Sequence, residues 1–404
     1  MTRPEVQVPH RPPLCGVFVL QKTYNKSSMQ FFRSIFRVSY KYIIKPVLFK
    51  KTPDTVHEGL IKLALFLQKL PGFIALGRWM LTPRRTDKLK QEICGVTFHN
   101  PVGISAGFDK NIELQPTLQM IGCGFETGGS VTRHSRAGNP RPWFYRLPKT
   151  KSLVVHAGLA NYGIDKITTN IEKSASLQTD MPLIISVAAV ACDDKCTTDE
   201  AIDEVCETLQ IIQQKRLAQI VEINISCPNA QDGQPFIELQ NLKKLLDKVD
   251  KLGYSLPLFI KMPNKESWEE FEPILDEVAQ HNVQGVTIAN LVKDRASVDI
   301  KDELPGDVKG GLSGKPTYDR SNELIKKTYQ KYGSKLVIIG VGGIFSAEDA
   351  YEKIRSGASL VGLITGMIFE GPQLIGDINA DLEKKIDSEG CQTITQVVGM
   401  GTTK

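Results

Sequence analysis

Val221-Glu-Ile-Asn-Ile-Ser-Cys-Pro-Asn229 is an apolar run that stops abruptly in polar side chains at a proline. The run reads as a short buried strand, and Pro228 forces the chain out of it. Asn224, Cys227 and Asn229 then project from the strand's C-terminal end. Two amides there can hold a planar ring of carbonyls and N–H groups, and a thiol between them can accept a proton. A lone cysteine in such a place is ordinarily a small buried residue in a tight turn. The flanking asparagines weigh against that, because buried amide heads need partners.

Working outward, the same kind of run recurs. Candidate strands are Val102–Ala106, Phe125–Val131, Leu183–Ala189, Ile220–Ser226, Leu258–Met262, Gly285–Asn290, Leu336–Val341 and Leu360–Thr365, most of them separated by amphipathic stretches such as Trp268–Gln280 and Ser321–Tyr332. Eight strand–helix units in a row predict a (β/α)8 TIM barrel, a fold of about 250 residues. An open doubly wound sheet is the alternative, but no GxGxxG opens a helix after the first strand. The barrel is expected over 82–390, followed by a tail, 391–404.

Barrel chemistry sits at the C-terminal ends of the strands. Those ends carry Gly107, Asp109 and Lys110, then Ser130 and Thr132, then Asn224, Cys227 and Asn229, Lys261, Asn290, Gly342-Gly343 and Thr365-Gly366. Each has a bland reading as a turn glycine or a surface cation; their convergence on one mouth is the signal. Glycines leading into helices after the last two strands suit a phosphate, and an inward lysine suits a ring that becomes anionic on reduction. Flavin mononucleotide (FMN) meets both demands.

The formal net charge of the 404 residues is +5, unevenly spread. Nine basic and no acidic residues lie between Val6 and Pro53; residues 1–5 cancel, so the chain from Asp54 onward carries −4. A mildly acidic body argues against nucleic acid as a partner. Residues 1–27 are Pro-rich and expected to be disordered. Over 28–81 two amphipathic helices are expected. One has Phe32, Ile35, Phe36 and Ile43 on one side and Arg33, Arg37, Lys41 and Lys45 on another; the second is capped by Asp54 and striped by Leu60, Leu63, Ala64 and Leu67. This predicts a peripheral membrane anchor, with a helical pair packed on the body as the competing reading. No segment approaches the roughly 18 apolar residues of a spanning helix. The eight cysteines form no CxxC pair and the histidines no HExxH, so no metal site is expected and a reducing compartment is the default.

Several motifs are specific together: Gly103-Ile-Ser-Ala-Gly-Phe-Asp-Lys110, Gly138-Asn-Pro-Arg-Pro142 with Tyr145-Arg-Leu147, Asn224-Ile-Ser-Cys-Pro-Asn229, Gly310-Gly-Leu-Ser-Gly-Lys-Pro316, Ile339-Gly-Val-Gly-Gly-Ile344 and Ile364-Thr-Gly-Met-Ile-Phe-Glu-Gly-Pro372. On these the chain, from about Tyr40 to Asp377, resembles the dihydroorotate dehydrogenase family. The head, with Lys51-Thr-Pro-Asp-Thr-Val-His57, resembles its membrane-associated, quinone-linked branch. The resemblance implies oxidation of dihydroorotate to orotate in pyrimidine biosynthesis, with electrons passed to a quinone. It implies Cys227 as the base; Lys110, Gly158, Leu159, Asn224, Asn229 and Asn290 as substrate-binding; and His57 and Arg146 along a quinone tunnel. FMN would meet Ala106, Gly107, Lys110, Ser130, Ser186, Asn224, Lys261, Gly314, Gly342, Gly343, Thr365 and Gly366. There are departures from the family pattern. Cys227 is the soluble branches' choice where the quinone-linked branch usually has serine. Val155 replaces an asparagine, Leu291 a hydroxyl residue, Ser186 another asparagine, and Ala188-Ala189 a glycine–lysine pair. These leave open a different substrate on the same flavin fold, or a non-catalytic membrane-bound flavin protein.

Overall fold

The computed structural model describes residues 26–175, 179–190, 197–227 and 235–402. The expected disordered segment lies outside these apart from its last two residues, and Asn229 lies outside them too.

Eight parallel strands close into a barrel in chain order: β1 (Val102–Ile104), β2 (Phe125–Val131), β3 (Leu183–Ala188), β4 (Ile220–Asn224), β5 (Leu258–Lys261), β6 (Gly285–Ile288), β7 (Val337–Val341) and β8 (Leu360–Leu363). Seven of the eight are shorter than the apolar runs suggest. In six of them the last residues leave the ladder to form the mouth, as Ala289 and Asn290 do after β6, while β7 lacks only its expected first residue, Leu336. Helices cover the outer face and side chains fill the lumen, so β2, β3, β4 and β5 are buried along their whole length.

The lumen is layered. Phe125, Ile184, Phe259 and Ile339 fill its lower end, with Phe98 from a short hairpin (Gln91–Ile93 with Val96–Phe98) packed edge-on against Phe125 at 5.9 Å. Above them lies a polar layer built on Glu222, and above that the mouth. A small antiparallel sheet (Phe144–Leu147, Ser152–Val155, Gly311–Leu312) roofs part of the opening.

The head contains more helix than two segments. α1 (Lys26–Ser39) runs through a π-helical stretch, Tyr40–Ile44, into α2 (Lys45–Phe49); α3 (Pro53–Leu67) and α4 (Phe73–Leu81) follow. Two expectations are corrected here. Thr52, not Asp54, caps α3, accepting the Thr55 N–H at 3.4 Å. Asp54 is buried and instead accepts the backbone N–H groups of Trp143 (3.0 Å) and Phe144 (3.3 Å), tying head to roof. Nor is Arg33 part of a solvent-facing basic side, although Arg37 is still exposed. Both reach Asp377 on the helix Leu374–Ser388, at 3.2 and 2.9 Å, and Arg33 is buried.

Phe32 and Phe36 are half-buried, while several other apolar side chains of the head turn out. Phe31, Ile35, Tyr42 and Ile43 of the first helical run and Leu60, Leu63 and Phe66 of α3 are exposed. No helix of the described residues is long and apolar enough to cross a membrane.

Candidate active site

A cavity of about 770 Å³ runs without interruption from the barrel mouth into the head. Its inner end is lined by Ser105, Ala106, Gly107, Lys110, Ser130, Asn224, Cys227, Lys261 and Asn290. One flank carries Gly314, Gly342, Gly343, Thr365 and Gly366; Gly158 and Leu159 lie on the roof side. Tyr40, Phe49, His57, Leu60, Ala64 and Arg146 form the outer part. Every described residue assigned a substrate, flavin or quinone contact lines this cavity except Ser186, which is fully buried behind the wall; of the other strand-end residues, Asp109 and Thr132 are buried and do not line it.

Ser186 belongs to a network that holds the wall in place. Its hydroxyl donates to Glu222 Oε1 (2.7 Å), and Thr287 Oγ1 donates to Glu222 Oε2 (2.5 Å). Ser186 also meets the Ser130 hydroxyl at 2.9 Å, which accepts from Asn224 Nδ2 at 2.9 Å. Asn224 Oδ1 accepts from Ser226 N (3.1 Å), and Asn290 Nδ2 donates to Ser226 O (2.7 Å). Both cavity amides are therefore oriented by the protein before any ligand arrives. Sequence reasoning missed Glu222, Ser226 and Thr287. For Glu222 the signal available was spacing, since residues two apart in a strand share a face and it stands two before Asn224; Thr287, on another strand, had none.

Lys110 stands over the rings of Trp143 (5.7 Å) and Phe144 (5.1 Å). Burial brings its ammonium down to about 8, against the opposing pull of Asp109 and Asp54. Asp109 accepts the N–H groups of Glu113 (2.8 Å) and Leu114 (2.6 Å), which fixes the turn carrying Lys110. Glu126 is fully buried, and its carboxyl is pushed well above the usual range by burial and by Asp109. Burial, then Lys265, lowers the pKa of Lys293, against an electrostatic interaction with Cys227.

In the head, His57 lies between Phe108 (5.7 Å) and Phe144 (5.9 Å). Burial, then Lys110 and Arg141, pushes it down to about 3, so its ring is neutral at physiological pH. Arg146 stacks on Phe49 at 4.0 Å and donates to the carbonyls of Phe49 and Lys51 at 3.2 and 3.3 Å. Its Nε is buried with no acceptor among the described residues.

The flank at β7 and β8 suits a phosphate. Gly342 and Gly343 have φ of +110° and +74°, and a Cβ on either would collide with Thr317 or Tyr318. Only glycine can occupy both positions of this turn, which borders the cavity. Ser105 Oγ, buried and lacking a partner among the described residues, lies on the same wall. Glycine turns, an inward lysine and a free hydroxyl fit a flavin nucleotide. No group of three or more potential metal ligands exists among the described residues.

The dihydroorotate dehydrogenase family model matches residues 88–386. Among curated relatives, the dihydroorotate dehydrogenase (quinone) of Nostoc punctiforme is 31% identical over 89% of this chain and 98% of that protein. The enzyme of the same name from Burkholderia multivorans is 36% identical over 82% and 93%. The Eimeria tenella DHODH in complex with ferulenol superposes with a TM-score of 0.76, 25% identical, covering 87% of this chain and 96% of that one. The chain belongs to the dihydroorotate dehydrogenase family, in its quinone-linked branch.

Proposed function

We propose that the protein oxidises dihydroorotate to orotate in pyrimidine biosynthesis and passes the electrons to a quinone, with FMN as the resident cofactor. The observation that carries this reading is the single cavity joining Lys110, Asn224 and Cys227 at the mouth to His57 and Arg146 in the head. One continuous space thereby serves a polar substrate at one end and an apolar electron acceptor at the other.

Bound FMN supplies a two-electron acceptor that can be emptied by a second substrate. Gly314, Gly342, Gly343, Thr365 and Gly366 would hold its phosphate, and Ala106, Gly107, Ser130 and Lys261 the remainder. Lys261 brings a fixed cation to the cavity wall. At the substrate end, the Lys110 ammonium binds the carboxylate, while Asn224 and Asn290, oriented by Ser130 and Ser226, fix the ring. Asn229, outside the described residues, would complete that set. Cys227 Sγ, as thiolate, takes the proton from C5, and the positive charge on Lys293 favours the thiolate. At the outer end, the unpaired Arg146 Nε is a donor for a quinone carbonyl. The neutral ring of His57 can hydrogen-bond without adding charge to an apolar tunnel. The exposed apolar side chains of α1, α2 and α3 around basic residues such as Lys41 and Lys45 support peripheral attachment to a membrane surface.

Val155 and Leu291 also line the cavity, which favours as second reading a less polar substrate on the same flavin. Anaerobic addition of dihydroorotate to the yellow protein separates the two: loss of the flavin absorbance supports the first, and an unchanged spectrum the second.

A further inference from the structure

Lys353 is fully buried and takes no part in the chemistry above. It lies on the helix Ala347–Arg355 that follows β7. Its methylene stem occupies the space left by Gly340, where a Cβ would come within 2.7 Å of Cγ and Cδ. Its ammonium donates to Ser321 Oγ (2.7 Å) and Asn322 Oδ1 (2.6 Å) and stands 5.5 Å from the Tyr318 ring. Ser321 in turn lies against the back of Gly342, with Oγ 3.4 Å from where that residue's Cβ would be. The lysine therefore sits directly behind the glycine turn at the phosphate flank of the cavity.

Both acceptors are neutral. The charged groups that face Lys353 are Asp349 and Glu352 on its own helix, Asp319 on the helix Tyr318–Tyr332, and Lys315 just before that helix. Asp349 is already engaged by Lys315 Nζ (3.0 Å) and by the Phe345 N–H (2.9 Å). Burial outweighs these acids and brings the Lys353 ammonium down to about 7. A buried ammonium without an anionic partner is costly. The space in front of the glycine turn is where an anion would relieve it.

We propose that Lys353 is the counter-charge for a phosphate monoester held at the Gly342-Gly343 turn, and so makes the site prefer a phosphorylated flavin over the unphosphorylated one. The inference rests on the reading that the cavity holds FMN. Acting through Ser321 and the turn, Lys353 is a positioning residue. Linkage makes its effect reciprocal: phosphate favours the ammonium form by the factor by which that form favours phosphate, typically about 5- to 150-fold. In the free protein the proton is lost as pH rises through about 7. With the dianion in place it is kept to higher pH, so binding above neutrality takes up a proton.

The test uses the full-length protein stripped of flavin and titrated with FMN and with riboflavin, by fluorescence quenching and by calorimetry in buffers of different ionisation enthalpy. Lys353→Met should weaken FMN roughly tenfold or more while changing riboflavin by less than about threefold. It should also reduce proton uptake on FMN binding at pH 8. Lys110, which titrates nearby at about 8, contributes to both proteins and cancels in that comparison. Wild type alone gives an independent reading: its preference for FMN over riboflavin should fall between pH 7 and 9. Equal weakening of both flavins, unchanged FMN binding by the variant, or a preference flat with pH would overturn the assignment. If wild type binds neither flavin, the cofactor reading itself is refuted, and this inference with it.

Discussion

Replacing Asp377 with alanine should release α1 from the barrel and cut the quinone half-reaction while sparing the substrate half. Asp377 is the shared partner of Arg33 and Arg37. The two arginines are not equivalent: their side chains are 6% and 52% exposed. Arg33 Nη1 already lacks a partner among the described residues, so losing the carboxylate strands a buried guanidinium. Breaking a buried pair from one side costs about 3 kcal/mol, and an exposed pair at most about 1 kcal/mol. Asp377→Ala should therefore raise opening of α1 on the order of a hundredfold, and Arg37→Ala about fivefold or less. Hydrogen exchange of the α1 amides measures this directly. Because Phe36 and Tyr40 line the outer cavity, quinone reduction should fall with α1 protection, while flavin reduction by dihydroorotate stays within about twofold of wild type. Equal exchange in the two variants, or parallel loss of both half-reactions, would refute the reasoning.

Other expectations follow from the same geometry. Cys227→Ala should slow anaerobic flavin reduction by about 10²-fold or more, the ordinary contribution of a general base, with orotate affinity little changed; stopped-flow absorbance checks it, and an undiminished rate excludes the thiol as base. On the role proposed for Lys110 at the substrate carboxylate, its ammonium, brought down to about 8 by burial, must be protonated to bind, so KM for dihydroorotate should climb as pH rises above about 8 and be flat below it. A steady-state series from pH 6 to 9.5 tests the sign; a KM that falls with pH would contradict it. Arg146→Ala should raise KM for quinone roughly tenfold by removing the buried Nε donor, and leave dihydroorotate-driven flavin reduction intact. His57, held at about 3, should add no inflection to quinone reduction between pH 5 and 8.

Each barrel strand could be read from its apolar run, because strands buried on both faces carry that composition whatever their neighbours do. Strand ends could not: Asn290 and Thr365 look like continuations of the runs, yet lie beyond the last paired residue. The cavity-facing glycines, Lys110 and the amides were legible because the mouth of a barrel is defined by strand order alone. Their support was not. Glu222 joins Ser186 of one strand to Thr287 of another, a contact between segments about a hundred residues apart that no local pattern encodes. Ser186, read as a flavin contact, turned out to donate behind the wall for the same reason. In the head, amphipathicity was plain but its direction was not. Arg33 reads as part of a solvated stripe until Asp377 is brought beside it and buries it, whereas Arg37, on the same carboxylate, stays half exposed. Asp54 likewise occupies a capping position by sequence and a tethering one in space.

The central claim is that one cavity couples a pyrimidine to a quinone through a bound flavin. An anaerobic spectrum of the purified full-length protein tests it most directly. Dihydroorotate should bleach the flavin band, and a short-chain quinone added afterwards should restore it. A flavin that remains oxidised with dihydroorotate, or one that bleaches and is not restored by quinone, would contradict the account.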